Sequence, residues 1–273
     1  MQYLFAPIFL VMGAASIYGD QVSTTTPAPK DRDDLVTGVG KAQARETLVP
    51  YYMERVDVSP RGDVLGLKEI VARRSDGAIV RKGGLAPGDT LNFARDVTFP
   101  DGTRVTVYDS IKAKTTWPLD ELQRAFFRAK VIDGPAECTM AGNTPLRRER
   151  MQGQDVDMVQ FSANARRVTL WQAPKLGCEY LYDKVEVPAR DGSLRIDMEV
   201  KTTTLVIGEP DGRLFEVSPD LVEMKPSEAL RKLWSSVEPP VPADLKAAFL
   251  RENERQGAEQ DKRYEAAKSG VRQ

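Results

Sequence analysis

The sequence predicts a mainly β protein of the α+β type, built as a curved antiparallel sheet or incomplete barrel with one packing helix and a polar helix at its carboxyl end. Three observations predict this class. Apolar and polar residues alternate with a period of two, Asp-Gly pairs recur between the alternating segments, and few segments carry a helical period. About 250 residues follow the predicted signal peptide, which is enough for one domain with its own core.

The alternation is clearest in 194–200, where apolar side chains occupy every second position. These apolar residues are Leu194, Ile196, Met198 and Val200. The segment 103–113 has the same period, with Asp109 as the exception on its apolar face. Such alternation is typical of a strand with one buried and one solvated face. Eight further strands are predicted, which makes ten in all: 63–73, 78–82, 93–99, 155–161, 166–172, 179–187, 202–207 and 213–217.

Four of the five Asp-Gly pairs in the sequence lie between consecutive predicted strands with no predicted helix between them. They stand at 76–77, 101–102, 191–192 and 211–212. Glycine adopts positive φ without a steric penalty, and tight hairpin turns require such φ values. Each pair therefore predicts a hairpin turn, and together they predict a largely antiparallel meander.

Three segments predict helices. The segment 119–130 follows Pro118, has acids in its first turn and bases in its last, and carries an apolar stripe, so it is predicted to pack on the sheet. A short helix is predicted from Pro226 or Ser227 through Trp234. The segment 243–267 follows a proline-rich stretch and becomes almost wholly charged. Its first two turns are expected to dock, and the remainder is expected to be solvated.

The amino-terminal residues predict export. An uncharged apolar run over 3–17 ends in small residues, which is typical of a secretory signal peptide at 1–19. The alternative is a retained membrane anchor, but the run is shorter than the roughly 20 apolar residues of a spanning helix. Residues 20–48 are rich in polar residues and proline and predict a flexible tether. The β-rich half-barrel domain is expected at 49–237, and a proline-rich hinge with a charged helical tail at 238–273.

Cys138 and Cys178 are the two cysteines of the sequence. An even count in a chain predicted to be exported favours a disulfide bond between them. The bond would close a loop of about 40 residues and contribute about 4 kcal/mol in the chain-entropy model. The alternative is two separate buried thiols. With the signal peptide, the cysteines predict a periplasmic or secreted protein that has no stable membrane span once the signal is removed.

Several classes of chemistry lack the residues they need. The sequence contains no histidine, which excludes Ser-His-Asp and Cys-His nucleophiles and histidine-based metal sites. It contains no P-loop and no dinucleotide-binding glycine pattern, so no cofactor is expected. Lysine and arginine number 39 against 40 aspartates and glutamates, and the net charge of −1 disfavours nucleic acid as a partner. The protein is predicted not to be an enzyme, and no catalytic, cofactor-binding or metal-binding residue is assigned.

A carboxylate-dependent hydrolase is the remaining enzymatic alternative, because two acids about 5 to 9 Å apart hydrolyse glycosides without histidine. The candidate acids are Asp109, Asp155, Asp157, Glu179 and Glu209. A chance pair is expected among 40 acids, and Asp155 and Asp157 are better explained as the polar face of a strand.

A set of aromatic residues defines the candidate apolar pocket. All of them fall on predicted elements that line one sheet or its helix: Trp117, Phe126, Phe127, Phe161, Trp171, Tyr180 and Tyr182. If that sheet face is concave and incompletely filled, these residues line a ligand pocket. If the helix at 119–130 fills the face, they are ordinary core residues. Both interpretations stay open.

Three segments resemble a known group of proteins. They are 73–77 (Arg-Arg-Ser-Asp-Gly), 171–178 (Trp-Gln-Ala-Pro-Lys-Leu-Gly-Cys) and 208–220, which begins Gly-Glu-Pro-Asp-Gly. They resemble uncharacterised exported bacterial proteins of the acidobacterial type. The resemblance implies a half-barrel like that of periplasmic lipoprotein carriers, in which a curved antiparallel sheet wraps a helix-covered apolar cavity that often binds lipid or acyl chains. Here Ser218 precedes Pro219 and Leu221 replaces the expected tyrosine, and no binding residue is carried over.

The leading functional hypothesis is an exported, non-enzymatic envelope or extracellular protein that binds a lipophilic small molecule on the concave face of its sheet. The second hypothesis is a protein interaction module, in which the charged tail or an exposed sheet edge binds an envelope protein. The carboxylate-dependent hydrolase is the third. The sequence does not identify the ligand, the partner or the oligomeric state.

Overall fold

A twelve-stranded sheet is the main element of the part of the chain that the structure describes. The structure is a computed structural model, and it describes residues 48–83, 94–117, 138, 145–163, 165–236 and 243–269. All of these fall within one unit, Arg45–Gln273. Four predicted segments lie outside the described residues: the signal peptide at 1–19, the tether at 20–48 apart from its last residue, the helix at 119–130 and the hinge at 238–242.

The strands form two meanders that meet in the middle of the sheet. In chain order they are β1 Tyr51–Val58, β2 Val64–Arg73, β3 Ile79–Gly83, β4 Ala94–Thr98, β5 Arg104–Tyr108, β6 Ala113–Trp117, β7 Arg147–Met151, β8 Gln154–Ala163, β9 Arg166–Ala173, β10 Glu179–Pro188, β11 Leu194–Ile207 and β12 Val222–Glu223. Their order across the sheet is β12-β6-β5-β4-β3-β2-β1-β11-β10-β9-β8-β7. The first meander, β1 to β6, therefore joins the second meander, β7 to β11, through the pair of β1 and β11.

The sheet is open and curved, with β12 and β7 at its two edges. Its pairs are antiparallel, except that β12 runs parallel to β6. The predicted fold class, mainly β with a curved antiparallel sheet, is therefore confirmed.

Three of the four Asp-Gly pairs form the predicted hairpin turns. Gly77, Gly102 and Gly192 have φ of 95°, 84° and 81°, and they connect β2 to β3, β4 to β5 and β10 to β11. In each turn the aspartate carboxylate accepts a hydrogen bond from the backbone N–H two residues later, which stabilises the turn. The fourth pair instead leads into a 3₁₀ helix, Gly212–Phe215.

The structure corrects several predicted strands. The segment 103–113 is not one strand, because the 3₁₀ helix Asp109–Ile111 separates β5 from β6. The strand predicted at 213–217 is wrong, since this stretch is largely 3₁₀ helix and buries Phe215. The strands predicted at 194–200 and 202–207 form one strand, β11. The sequence-based prediction also lacks β1, β7 and the two-residue strand β12.

Two helices follow the sheet in the described part of the chain, α1 Pro226–Ser236 and α2 Ala243–Ser269, and both were predicted. Their contact contradicts the expectation that α2 is solvated beyond its first two turns. Asp261 of α2 accepts hydrogen bonds from the backbone N–H and Oγ of Ser227, at the start of α1. Tyr264 is buried and meets the Trp117 ring edge-on, with ring centroids 6.4 Å apart. Helix α2 therefore packs on α1 and on β6.

Three apolar clusters form the core of the described residues. The first, which we call the junction cluster, lies where the two meanders meet and contains Tyr51, Met53, Val71, Val156, Trp171, Ala173, Leu176 and Leu181. The second packs α1 against β5 and β6 and contains Tyr108, Ile111, Ala113, Met224, Ala229, Leu230 and Leu233. The third lies on the first meander and contains Ala72, Ala78, Val80, Val97 and Phe215.

Candidate ligand-binding site

The two faces of the first meander differ in polarity. Side chains of neighbouring residues alternate between the faces of a sheet, and cross-strand partners share a face. On one face the successive partners from β2 to β6 are Val71, Arg81, Asp96, Thr106 and Thr115. On the other face the adjacent row is Ala72, Val80, Val97 and Val105. We call the face that carries Arg81 and Asp96 the polar face.

Four charged side chains meet on the polar face beside the second meander. Arg55 Nη2 lies 3.1 Å from Glu69 Oε1 and 3.3 Å from Glu179 Oε2. Arg81 Nη1 lies 3.8 Å from Glu69 Oε2, and Arg81 Nη2 contacts Glu179 Oε1. Each arginine thus contacts both carboxylates. We call these four residues, together with Tyr180, the ion cluster.

Arg55 is the most deeply buried member of the ion cluster. Its side chain is 0% exposed, whereas that of Arg81 is 42% exposed. The Arg55 guanidinium lies over the Tyr180 ring, 3.7 Å from the centroid, and its Nη1 donates to the Tyr180 carbonyl oxygen at 3.3 Å. Tyr180 Oη donates to Glu69 Oε1 at 2.8 Å. These contacts replace part of the hydration that a buried guanidinium loses, since Arg55 Nε is buried without a hydrogen-bond partner among the described residues.

The surroundings raise the pKa values of three members of the ion cluster. Burial lowers the pKa of Arg81, but the carboxylates of Glu179 and Glu69 outweigh burial, so its pKa is raised above the ordinary value. The pKa of Arg55 is raised by the same balance. Burial raises the pKa of Tyr180, so the phenol keeps its proton and donates a hydrogen bond to Glu69.

Irregular strand pairing accompanies the ion cluster. The register shifts between Glu54 and Arg55 in the pair of β1 and β11, and between Arg55 and Val56 in the pair of β1 and β2. A further shift lies between Tyr180 and Tyr182 in the pair of β10 and β9. Such irregularities re-aim side chains and increase the local twist of a sheet. They fall at two members of the ion cluster and help to bring β1 and β10 side chains together.

The aromatic residues of the candidate pocket lie in different surroundings. Trp171 and Tyr182 belong to or pack against the junction cluster, with ring centroids 4.6 Å apart. Tyr180 belongs to the ion cluster. Phe161 lies on β8 and is half-buried.

Trp117 lies at the other end of the first meander. Its Nε1 donates to Thr106 Oγ1 at 2.8 Å, and the Arg104 guanidinium lies 5.6 Å from its ring centroid. Phe126 and Phe127 lie outside the described residues. Of the aromatic residues proposed for the pocket, the structure therefore brings only Trp171 and Tyr182 into a shared apolar cluster among the residues it describes.

The five candidate acids of the hydrolase hypothesis take part in separate interactions. Four of them pair with arginine: Asp109 with Arg95, Asp157 with Arg148, Glu179 with Arg55 and Arg81, and Glu209 with Arg74. Glu209 accepts a hydrogen bond from the backbone N–H of Ser75 at 3.1 Å, and Asp155 is exposed. Across the described ranges, no group of three or more acidic or cysteine side chains is placed to hold a metal ion.

A disulfide bond joins Cys138 and Cys178, with an S–S distance of 2.10 Å. Cys178 lies in the connection between β9 and β10, directly before the ion-cluster residue Glu179. The backbone N–H of Cys138 donates to Asp157 Oδ2 at 3.1 Å. The bond thus fastens residue 138 to the second meander.

Comparison with known proteins gives weak structural matches. No family model matches the chain, and no curated protein matches it. A structure of PNGF-II has a TM-score of 0.41 and 14% sequence identity over 69% of this chain, and this chain spans 33% of PNGF-II. A LolA superfamily protein from Nitrosomonas europaea has a TM-score of 0.25 and 9% identity over 64% of this chain and 92% of its own.

A further match is an outer membrane lipoprotein-sorting protein domain from Vibrio parahaemolyticus, with a TM-score of 0.16 and 12% identity over 62% of this chain and 89% of its own. A relation to acidobacterial proteins and to periplasmic lipoprotein carriers stays a prediction. At these scores the matches establish neither a family nor a function. None of the described helices is both long and apolar enough to span a membrane.

Proposed function

We propose that the protein is a non-enzymatic binding protein of the periplasm or extracellular space that holds a lipophilic ligand against its open sheet. The junction cluster carries the proposal. Its buried members, such as Tyr51, Met53 and Leu181, are bordered by side chains that remain half-buried: Met151, Met158, Tyr182 and Leu205.

The composition of this border suits a flexible apolar ligand. Methionine has a polarizable thioether and three rotatable bonds, so it adapts to apolar partners of different shape. Tyr182 and Trp171 add large aromatic surfaces beside Met158, which is the cross-strand partner of Trp171. An acyl chain laid along this border would remove its remaining apolar surface from water.

The cysteine pair supports a location outside the cytoplasm. Disulfide bonds persist in oxidising compartments and are rare where thioredoxin and glutathione keep thiols reduced. The bond between Cys138 and Cys178 closes a loop across 40 positions of the chain. This supports a periplasmic or secreted protein.

The ion pairs next to the junction cluster favour binding over catalysis. A general acid or base must exchange its proton during the reaction. Glu69 and Glu179 each contact two arginines, and Tyr180 is bound to Glu69 as a donor. Groups engaged in this way orient a ligand or stabilise the fold, and they are poorly placed to transfer protons.

Co-purification tests the proposal directly. Native mass spectrometry of the purified protein, followed by organic extraction, should identify a bound lipophilic molecule. Titration of delipidated protein with a fluorescent fatty acid should saturate at one ligand per chain. A protein that carries no lipid and shows no saturable binding would refute the proposal.

A matched pair of variants locates the ligand. Met158→Glu places a charge in the border of the junction cluster and should weaken the fluorescent fatty acid about tenfold or more, because burying an unpaired charge is costly. Val206→Glu places the same charge at an exposed position of β11 and should leave the affinity unchanged. Thermal melts of both variants verify that each is folded. Equal loss of affinity in the two variants would argue against this location.

A further inference from the structure

Arg73 is a buried cation with no ion-pairing partner in the part of the chain that the structure describes. The residue is 4% exposed, and its guanidinium has neither a hydrogen bond nor an ion pair there. Burial lowers its pKa, while Tyr51, Glu179 and Asp76 act in the opposite direction. Both of these acids are already engaged, because Glu179 contacts two arginines and Asp76 lies 2.8 Å from Arg74.

Arg73 lies beside charges that are already paired. The ion cluster holds two arginines and two glutamates in mutual contact. Arg73 lies on the same face, since residues 69, 71 and 73 alternate along β2 with residues that point the other way. Within the described residues it is a third arginine for which no carboxylate is within ion-pairing distance. An arginine that is 4% exposed retains little hydration, and a bound anion would supply a partner in its place.

Tyr51 offers a second donor at the same place. It is the direct cross-strand partner of Arg73 in the pair of β1 and β2, so the two side chains share a face. Tyr51 is 0% exposed, and its Oη is buried without a hydrogen-bond partner among the described residues. Burial raises the pKa of Tyr51, with Glu179 adding to the rise, so the phenol keeps the proton that it could donate. Buried hydroxyl groups nearly always have a partner.

We propose that Arg73 and Tyr51 together bind one oxyanion, a carboxylate or a singly charged phosphate, which is the head group of the lipophilic ligand. Guanidinium groups bind such oxyanions through two parallel N–H donors, and the phenol supplies a third. Tyr51 also belongs to the junction cluster, so an anion at Arg73 would place an attached acyl chain beside Met53 and Leu181. The head-group assignment rests on the proposed function, whereas the oxyanion site does not.

Four probes separate the contribution of the anionic head group from that of the acyl chain: oleate, methyl oleate, acetate and inorganic phosphate. Calorimetry on the delipidated full-length protein should show that oleate binds about tenfold or more tightly than methyl oleate, because only oleate presents a carboxylate. Arg73→Met should abolish this difference. Tyr51→Phe should reduce it several-fold, and Arg213→Met, at a surface position, should leave it unchanged.

Thermal melts supply an independent measurement. Because no described residue supplies Arg73 with a counter-ion, Arg73→Met should melt no lower than the wild type without ligand, and only the wild type should be stabilised by phosphate or acetate at high concentration. If Arg73→Met fails to fold, Tyr51→Phe and the preference for oleate over methyl oleate decide the matter.

The possible failures are distinguishable. Equal affinity for oleate and methyl oleate would overturn the oxyanion site and leave the proposed function standing. Failure of both to bind would refute the proposed function, and the oxyanion site would then stand only if phosphate or acetate stabilised the wild type and not Arg73→Met. Stabilisation of both proteins alike would overturn it.

Discussion

The ion cluster and the ion pairs of the second meander use the same residue types in different surroundings. In the ion cluster the central cation, Arg55, is wholly buried between two carboxylates. In the second meander some pairs join a buried acid to a cation at the surface, as in the pair of Asp157 with Arg148, whose side chain is 48% exposed. The comparison teaches that the location of the cation decides how much an ion pair contributes to the stability of the fold. Solvent screens an exposed charge, whereas a buried charge depends on its protein partners.

The largest expected effect follows from removing the buried cation. Arg55→Met leaves Glu69 and Glu179 next to a single arginine in a buried setting, so the free energy of unfolding should fall by about 3 to 5 kcal/mol. Urea denaturation followed by circular dichroism measures this change. Arg213→Met removes an exposed arginine and should leave the stability nearly unchanged. Similar results for the two variants would show that Arg55 is no more dependent on its partners than a surface arginine.

A smaller effect is expected for the buried acid of the second meander. Asp157→Asn weakens the bonds that its carboxylate accepts from Arg148 and from the backbone N–H of Cys138, and it should lower the free energy of unfolding by about 2 kcal/mol. Asp155→Asn is the matched control, since Asp155 lies two residues earlier on the same strand and is exposed. If Asp157→Asn lowered the free energy of unfolding as much as Arg55→Met, the proposed difference between the two regions would be refuted.

The smallest effect on the free energy of unfolding is expected from the pair of Glu186 and Arg167, whose cation is surface-exposed. This effect is measured as a dependence of stability on pH. The hydrogen bond from Arg167 lowers the pKa of Glu186 below its ordinary value of 4.5. A lowered pKa in the folded state contributes stability above the ordinary value, and that contribution is lost as the pH falls through the folded-state value. The wild type should therefore lose more stability than Glu186→Gln between about pH 5 and about pH 3.

Urea denaturation at several pH values measures the Glu186 effect. Glu216→Gln replaces an exposed glutamate and should follow the wild-type profile. If Glu186→Gln also followed the wild-type profile, the pair of Glu186 and Arg167 would contribute nothing measurable to folding.

The strands that the sequence predicted are those in which local signals agree. In β11 the two-residue period is strong, and in the hairpins at Gly77, Gly102 and Gly192 the glycine adopts the positive φ that the turn needs. The segment 103–113 failed because Lys112, a residue without a turn signature, adopts a φ of 50° after the 3₁₀ helix. The segment 213–217 failed because Phe215 is buried by the third apolar cluster, a tertiary contact that strand propensity does not describe.

The candidate site was less predictable than the fold. The side chains of Tyr51, Met53 and Arg55 point to one face of β1. Because the buried residue at position 55 is an arginine, it interrupts the apolar alternation from which a strand is predicted. Glu69 and Arg81 stand on strands that were predicted, yet their pairing joins residues far apart in the chain. An inward-facing charge in an otherwise apolar series was the one local signal that could have marked the site.

The sequence by itself determined the class of fold, since the period of apolar residues and the conformational needs of tight turns are local properties. It also supplied the two cysteines and excluded histidine-dependent chemistry. Only the tertiary structure decided that Arg55, Arg81, Glu69 and Glu179 meet, and that Arg73 lies opposite Tyr51, whose hydroxyl is buried without a hydrogen-bond partner among the described residues. The physical reason is that the stability of a buried charge depends on which distant residues surround it, and strand order and register fix those neighbours.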